Sequence, residues 1–541
     1  MNAEEPKSPV EWDSTLHGVR LYIGAIGLGL ALFLTCLEAT IVSTSLVTIT
    51  NNLGNSNQGS WIITAYLLTY TGFLIVWSNC STILGVKTAV LASLFLFVVF
   101  SAGCAASQTL NQLIIFRAFQ GLGGAGVYSL TLFSFVRIVP YQHFDKVSSL
   151  AGGISSLGLV LGPLLGGAIA NNGSWRWVFL YNVPAGIVSW VFISFALPTH
   201  FPHASPDHAP GLESQFWLAG KSFFCRVDIL GSFLTLISCS FIIAALQEGN
   251  SEYVWGSGLV IAFFVISGVA CIAFIYWEWF ICRHDIGIIP MFPLWLARNR
   301  VFMGVALGFF TTGLPLFVCI INVPQRFQIV NGSSPIGAGV KLLSFSVSCP
   351  IGIIACSILA GRLSIPFCYI ILAGVACQVS GLFPYSCVEP VTDLWLGQFG
   401  YLVLAGLGVG LSVAAFYMAA PLVVDRDDHS AAVGIGIQFR TLGGVLGVAA
   451  SASILNHYIQ SRLSSTLLPS ELAALYETTE SILSLSPDVQ THVRDVYAMA
   501  YNTQMRLAGS ISVAQLFAVA LMWKKNNVRF YKAKQVLSSA E

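Results

Sequence analysis

The chain has 541 residues, of which 55% are hydrophobic and only 9% charged, against roughly 25% charged in a soluble domain. A solvated surface cannot be built from so few charges, so an ordinary soluble protein is excluded. The formal net charge of +1 points to no nucleic-acid partner, and at about 20 apolar residues per crossing the chain is expected to fold as an all-α integral membrane protein in a lipid bilayer.

The first twenty residues, MNAEEPKSPVEWDSTLHGVR, are polar, the wrong order for a cleaved secretory signal, and read as a tail over 1–20. Apolar runs then predict spans near 21–46, 61–80, 88–107, 112–136, 147–170 and 177–197, a six-helix bundle over 21–197. A polar connection over 198–226 leads to two additional spans within 227–281, near 227–247 and 256–281. A second six-helix bundle over 282–523 follows, with spans near 301–321, 336–361, 365–387, 394–419, 432–455 and 505–523 and a long outward loop over 458–504. A basic tail closes the chain over 524–541. The total is about fourteen spans.

Lysine and arginine gather in alternate connections. With the N-terminus inside, the cytoplasmic segments hold Lys7, Arg20, Lys87, Arg137, Lys146, Lys221, Arg226, Arg283, Arg298, Arg300, Arg362 and Arg426 and the tail cluster from Lys524 to Lys534, while the opposite side holds only Arg176, Arg326, Arg462 and Arg494. Basic residues are retained on the cytoplasmic side, so both termini of this multi-pass protein are expected there; which membrane holds it is not written in these residues, and the plasma membrane is expected over the vacuolar one.

Ionisable groups deep in a bilayer cost roughly 2.5 to 3.5 kcal/mol on insertion scales and mark function. The candidates are Glu38 in span one, Arg117 in span four, Lys341 in span ten and Arg440 in span thirteen, with Asp228, Glu278 and Arg506 near span ends. Glu38 sits among Thr35, Thr40, Ser43 and Thr44, a polar stripe expected to face a cavity. A desolvated carboxyl there suits a group that gains and loses a proton in each transport cycle. The other reading is a permanent structural pairing with Arg117 or Arg440.

Gly121 to Gly126, GLGGAG, matches a dinucleotide-binding pattern, yet no strand precedes it, so its glycines read as a close helix contact. The same holds for GLVLGPLLGG, where Gly158, Gly162, Gly166 and Gly167 share a face and Pro163 bends the helix. Trp61, Tyr66, Gln120, Tyr128, Gln438 and Arg440 are candidates for lining a substrate cavity. The thirteen cysteines lie mostly in apolar runs, without zinc spacing or a disulfide framework. No phosphate loop, metalloprotease motif or nucleophile elbow occurs, so neither an enzyme nor an ATP-driven pump is expected, and no cofactor or metal. Asn172 and Asn331 are formal glycosylation acceptors too near span ends for occupancy to be expected.

Several segments in order resemble the major facilitator superfamily, and within it the fourteen-span drug:proton antiporter branch of fungal type. They are LEATIVSTSLVTI in span one, FRAFQGLGGAG in span four, LGPLLGG in span five, SWRWVFLYNVPAG at the start of span six and QRFQIVNGSSPIGAGVKLL at span ten. The resemblance implies two six-helix bundles rocking about a central site, with two extra spans between them. It also implies a proton-coupling role for Arg117 with Gln120, an antiporter signature at Gly158, Gly162, Pro163, Gly166 and Gly167, the acidic place of span one at Glu38, and a structural role for Trp175, Arg176, Asn182 and Pro184. The loop between spans two and three departs from the family's G-x-x-x-D-x-x-G-R-[KR]. Here it reads SNCSTILGVK, with Ser78, Thr82 and Val86 at the first glycine, the acid and the arginine, while Gly85 and Lys87 remain.

The leading expectation is a proton-coupled secondary transporter, working as a monomer, that exports hydrophobic or amphipathic small molecules by alternating access. Two other readings stand beside it: a carrier for a defined solute such as a basic amino acid or a siderophore, and a membrane receptor that binds without moving its ligand.

Overall fold

The computed structural model of the chain describes residues 16, 18–54, 58–138, 144–172, 174–198, 201, 228–249, 255–284, 288, 290–389, 395–425, 429–464, 466–477, 479–525 and 527–529. Most of the 1–20 tail, nearly all of the 198–226 connection and the end of the chain from 530 onward lie outside the described residues.

Among the described residues, fourteen helices are long and apolar enough to cross a bilayer. Helix is the expected answer to these runs, since without water every main-chain N–H and C=O must be satisfied within its own segment. The first six are α1 (Val19–Leu53), α2 (Ser60–Leu84), α3 (Val86–Ala106), α4 (Leu110–Arg137), α5 (Phe144–Asn172) and α6 (Trp177–Ala196). The middle pair is α7 (Ile229–Glu248) and α8 (Gly258–His284). The last six are α9 (Arg300–Ile329), α10 (Pro335–Gly361), α11 (Phe367–Tyr385), α12 (Gly397–Ala419), α13 (His429–Tyr458) and α14 (Pro487–Met522).

Side-chain caps start several helices. Thr109 accepts from the Gln112 amide at the head of α4, Asn299 from Val301 and Phe302 at the head of α9, and Ser334 from Gly337 just before Pro335 opens α10. Gly85, at φ +81, makes the turn between α2 and α3 alone, a backbone shape that a Cβ would oppose.

The two sets of six pack by one repeated scheme. In the first half α1 lies on α5 and α6, α4 on α2 and α3, and α3 on α6; in the second α9 lies on α13 and α14, α12 on α10 and α11, and α11 on α14. Each helix thus has a counterpart eight places on, and the halves are repeats of one unit with α7 and α8 inserted between them. The inserted α7 packs on α8 and on both α2 and α13, one from each half.

With an even number of crossings both termini share one face of the bundle, here called the terminal face, and the other is the distal face. The halves are tied near the distal face. Gln328 of α9 donates to the Thr44 carbonyl of α1 at 2.9 Å. Gln247 of α7 donates to the Thr64 hydroxyl of α2 at 2.8 Å, and its carbonyl accepts from Asn456 of α13 at 3.4 Å. The distal part of α5 also packs against the first stretch of α10, Pro335–Ser346, whereas the second stretch, Ser348–Gly361, packs on α12.

The segment 458–504, read from sequence as a loop, is helical over much of its length. It holds a helix at Pro469–Glu477, a turn of 3-10 helix at Thr479–Ser484 and the first half of α14. Its apolar residues are too spaced out to read as a span, but Leu475, Ile482, Val493, Val496, Tyr497 and Tyr501 close over Val330 and Leu463 in a satellite core at the distal ends of α9 and α13.

Candidate transport site

Glu38 and Arg117, assigned separately from sequence, meet inside the first half. Glu38 is 0% exposed and Arg117 1%, and their side chains form the single ion pair found among the described residues. The carboxylate's other oxygen accepts from Asn182 at 2.7 Å and from the Tyr181 hydroxyl at 3.3 Å. α6 breaks at Tyr181 between Trp177–Leu180 and Asn182–Ala196, and the break aims both side chains at α1. Arg117 also donates from Nε to the Ile62 carbonyl of α2 at 3.0 Å and from Nη1 to Gln120 at 2.7 Å, with Gln120 donating on to Ser101 of α3 at 2.7 Å. The Tyr66 ring covers the guanidinium at 4.2 Å, a cation–π contact that adds to the pair in a desolvated place. Five helices of one half are therefore joined through one carboxylate and one guanidinium, each with its hydrogen-bonding capacity largely met, the condition under which a buried pair recovers its desolvation cost.

The stripe beside Glu38 does not face a cavity. Thr40 and Thr44 turn to α5, where Thr44 donates to the Pro163 carbonyl at 3.0 Å and Thr40 to the Gly158 carbonyl at 3.5 Å, while Thr35 and Ser43 bond carbonyls of their own helix. The reason is the glycine face of α5. Gly158, Gly162 and Gly166 let α1 come so close that a Cβ at 162 would stand 3.0 Å from the Thr40 Cβ, and hydroxyls at such a seam find main-chain acceptors. Gly167, next along, faces α10 instead, where a Cβ would stand 2.8 Å from the Ile336 Cα. GLGGAG likewise is a packing face within α4: Gly123 lies against Phe97 of α3 and Gly124 against the Tyr66 ring of α2.

The residues proposed as cavity-lining separate into two sets. Gln120 and Tyr66 are buried in the Arg117 cluster and do not line the space between the halves, because the Gln120 amide bridges Arg117 and Ser101 and the Tyr66 ring covers the guanidinium. Trp61, partly buried, packs against the large core to which both halves contribute. Tyr128 and Arg440 instead reach the midline, where the halves meet in an apolar knot of Leu74, Ala125 and Ile437 bordered by Tyr70, Phe73, Tyr128 and Tyr417. Gln438 is 9% exposed, on α13 beside this knot. Tyr70, Tyr128, Tyr417 and Arg440 are each partly exposed beside this knot, and we call the accessible space they border the chamber; the cavity between the halves lies nearer the distal face, lined by residues that include Leu46, Thr50, Ser60, Asn322, Asn456 and Tyr501. Sequence reading missed Tyr70 and Tyr417. Tyr70 had a signal, standing four places after Tyr66; Tyr417 had none.

The segment read from sequence as the loop between spans two and three is helical on both sides of Gly85: Ser78 and Thr82 fall within α2, and their side chains, like that of Asn172, lie outside the described residues. Val86 is 3% exposed in the core of the first half. Lys87 donates to the carbonyls of Ser194 and Leu197 at 2.7 and 2.6 Å, so the cation kept from the motif closes the end of α6 in its own half. Lys341 similarly bonds Ser333 beside the start of α10, 5.4 Å over the Phe327 ring, near the distal face rather than at mid-membrane. Asn331 occupies the distal turn between α9 and α10. Among the described residues no cluster of His, Cys, Asp or Glu could hold a metal ion.

Comparison with known proteins places these features. The family profile described as Major Facilitator Superfamily matches residues 28–448. The chain belongs to the major facilitator superfamily. It is 39% identical over 507 residues to the MFS-type transporter FPY5 of Fusarium mangiferae, covering 93% of this chain and 84% of that one. It is 28% identical to the efflux pump aflT of Aspergillus parasiticus over 95% of each. Among solved structures, a bacterial homologue of the human lysosomal transporter Spinster, inward-facing and unoccupied, superposes with a TM-score of 0.65 at 11% identity over 94% of this chain and all of the other. The D-xylose-proton symporter superposes at 0.56 and 11% identity, over 92% and 96%. These superpositions show the fold. As a member of the superfamily the chain is a multi-pass membrane transporter.

Proposed function

We propose that the protein exports hydrophobic or amphipathic small molecules across the plasma membrane, driven by protons, with both termini in the cytoplasm. The observation that carries this is the chamber of Tyr70, Tyr128, Tyr417 and Arg440 between two halves held together near the distal face. With the basic residues retained inside, the distal face is the outer one. The names of the relatives, an MFS-type transporter and an efflux pump, favour the outward direction.

Proton coupling is assigned to Glu38 and Arg117. Neutralising the carboxylate removes the attraction that holds α1 to α4 and α6. α1 in turn is seated on the glycine face of α5, and α5 touches the start of α10 through Gly167. A proton on Glu38 thus reaches the outer closure through two helix contacts. The antiporter signature of α5 serves as the sliding surface for that movement, and the site works within one chain.

The test is growth of a pump-deficient host on a panel of toxic compounds, with flux in sealed vesicles under an imposed proton gradient. Protection by the wild-type chain, lost in Glu38→Gln while that variant still reaches the surface, is the expected result. Unchanged sensitivity with confirmed surface display, or gradient-driven flux that survives Glu38→Gln, would refute the reading.

A further inference from the structure

We infer that the chamber selects molecules that carry a negative charge, Arg440 being its anion-binding residue and the rings of Tyr70, Tyr128 and Tyr417 its walls; the inference rests on the exporter reading above and names its substrate class.

The two arginines deepest in the membrane are treated differently. Arg117 has a carboxylate, a carbonyl and an amide around it. Arg440, midway along α13, has no carboxylate partner among the described residues, and its buried Nε has no hydrogen-bond acceptor. Its electrostatic neighbours are Tyr417, Tyr128, Tyr70 and Cys36, and its guanidinium stands 5.7 Å from the Tyr417 ring. The buried Tyr417 hydroxyl has no acceptor of its own and lies beside that guanidinium. Two neighbouring buried donors, Arg440 Nε and the Tyr417 hydroxyl, are therefore left without an acceptor from elsewhere in the described residues.

A mid-membrane cation is costly, and it is kept where an anion or water meets it. A ligand that accepts from both donors, and whose body lies against the tyrosine rings, fits: a lipophilic organic acid, ionised as carboxylate or enolate. Arginine is suited to this, since its fork of N–H groups matches a carboxylate while its flat face tolerates aromatic neighbours. A lipophilic cation finds no carboxylate among the described residues of the chamber, and Arg440 repels it.

The test uses the purified full chain in detergent with a matched pair of probes, 2-naphthoic acid and its methyl ester, at about neutral pH where the acid is ionised. The wild-type chain is expected to bind the acid at least about tenfold tighter than the ester, the size of one hydrogen bond to a charged group. Arg440→Gln should equalise the two, and Arg440→Lys should restore part of the difference. Should Arg440→Gln fail to give monodisperse protein, Tyr417→Phe serves, and is expected to weaken the acid while leaving the ester unchanged. Equal binding of acid and ester by the wild type, a preference that survives Arg440→Gln, or equal loss of both probes in Tyr417→Phe would overturn the inference. Vesicle flux separates it from the reading it rests on. Movement of both probes alike keeps export and removes anion selection, whereas acid-selective binding without flux of either keeps selection and removes export.

Discussion

Gly313 of α9 faces the main chain of Arg440 so closely that a Cβ at 313 would stand 2.7 Å from the Arg440 carbonyl carbon. The missing side chain is what lets α13 lie against α9 at mid-membrane and what sets the height of the guanidinium in the chamber. Gly313→Ala must push the two helices apart, and overpacking of this kind costs about 1 to 3 kcal/mol. A lowered unfolding midpoint together with lost binding is the expected outcome, read by thermal unfolding and ligand titration on one sample. A Gly313→Ala protein with wild-type stability and binding would show that the contact is dispensable.

Glu38 and Arg117 should behave as a unit. Removing one partner of a buried pair leaves an uncompensated charge or donor set and costs roughly 3 to 5 kcal/mol. Glu38→Gln and Arg117→Gln are each expected to destabilise the chain by that order, and the double variant by clearly less than the sum of the two. Thermal unfolding of the four proteins in one detergent measures this. Additive losses would mean that the two side chains contribute independently.

Gly167 is one of two close contacts through which α5 meets α10 near the distal face, with a Cβ there only 2.8 Å from the Ile336 Cα, the other being Gly339 against Pro163. Gly167→Val is expected to separate the halves at that point. Amide hydrogen exchange should speed up within 335–346 and 163–172 and stay unchanged within 367–385. Uniform acceleration across the whole chain would indicate global loosening instead.

Restoring the family's letter at position 86 should harm the protein. Val86 is 3% exposed in the core of the first half, and a guanidinium placed there without a partner costs several kcal/mol. Val86→Arg is expected to lower the yield of folded protein, whereas Lys87→Arg, which retains donors for the Ser194 and Leu197 carbonyls, should be close to neutral. Fluorescence-detected size-exclusion of the two variants tells them apart. A well-folded Val86→Arg chain would show that α3 can rotate to carry the charge out.

Much of this architecture was legible before any coordinate was known, because span formation is a local matter. Each run of about 20 apolar residues settles its own crossing by hydration energy summed within the run, and fourteen such helices are present among the described residues. The glycines of α4 and α5 could be read as packing faces for the same reason, since their spacing on one helix defines the face whichever neighbour covers it. The segment 458–504 was not legible. Its apolar residues are spread at helical spacing over 475–501 and become a core only when the ends of α9 and α13 supply Val330 and Leu463.

The site divides along the same line. The sequence alone determined which residues bear charge within the membrane, Glu38, Arg117 and Arg440 among them, because that follows from an ionisable letter inside an apolar run. Only the tertiary structure decided what each charge meets. Glu38 is neutralised by partners at positions 117, 181 and 182, and Arg440 is left among tyrosines from three other helices. Such pairing depends on which helices lie side by side and how each is rotated about its axis, and hydropathy along a chain carries neither quantity.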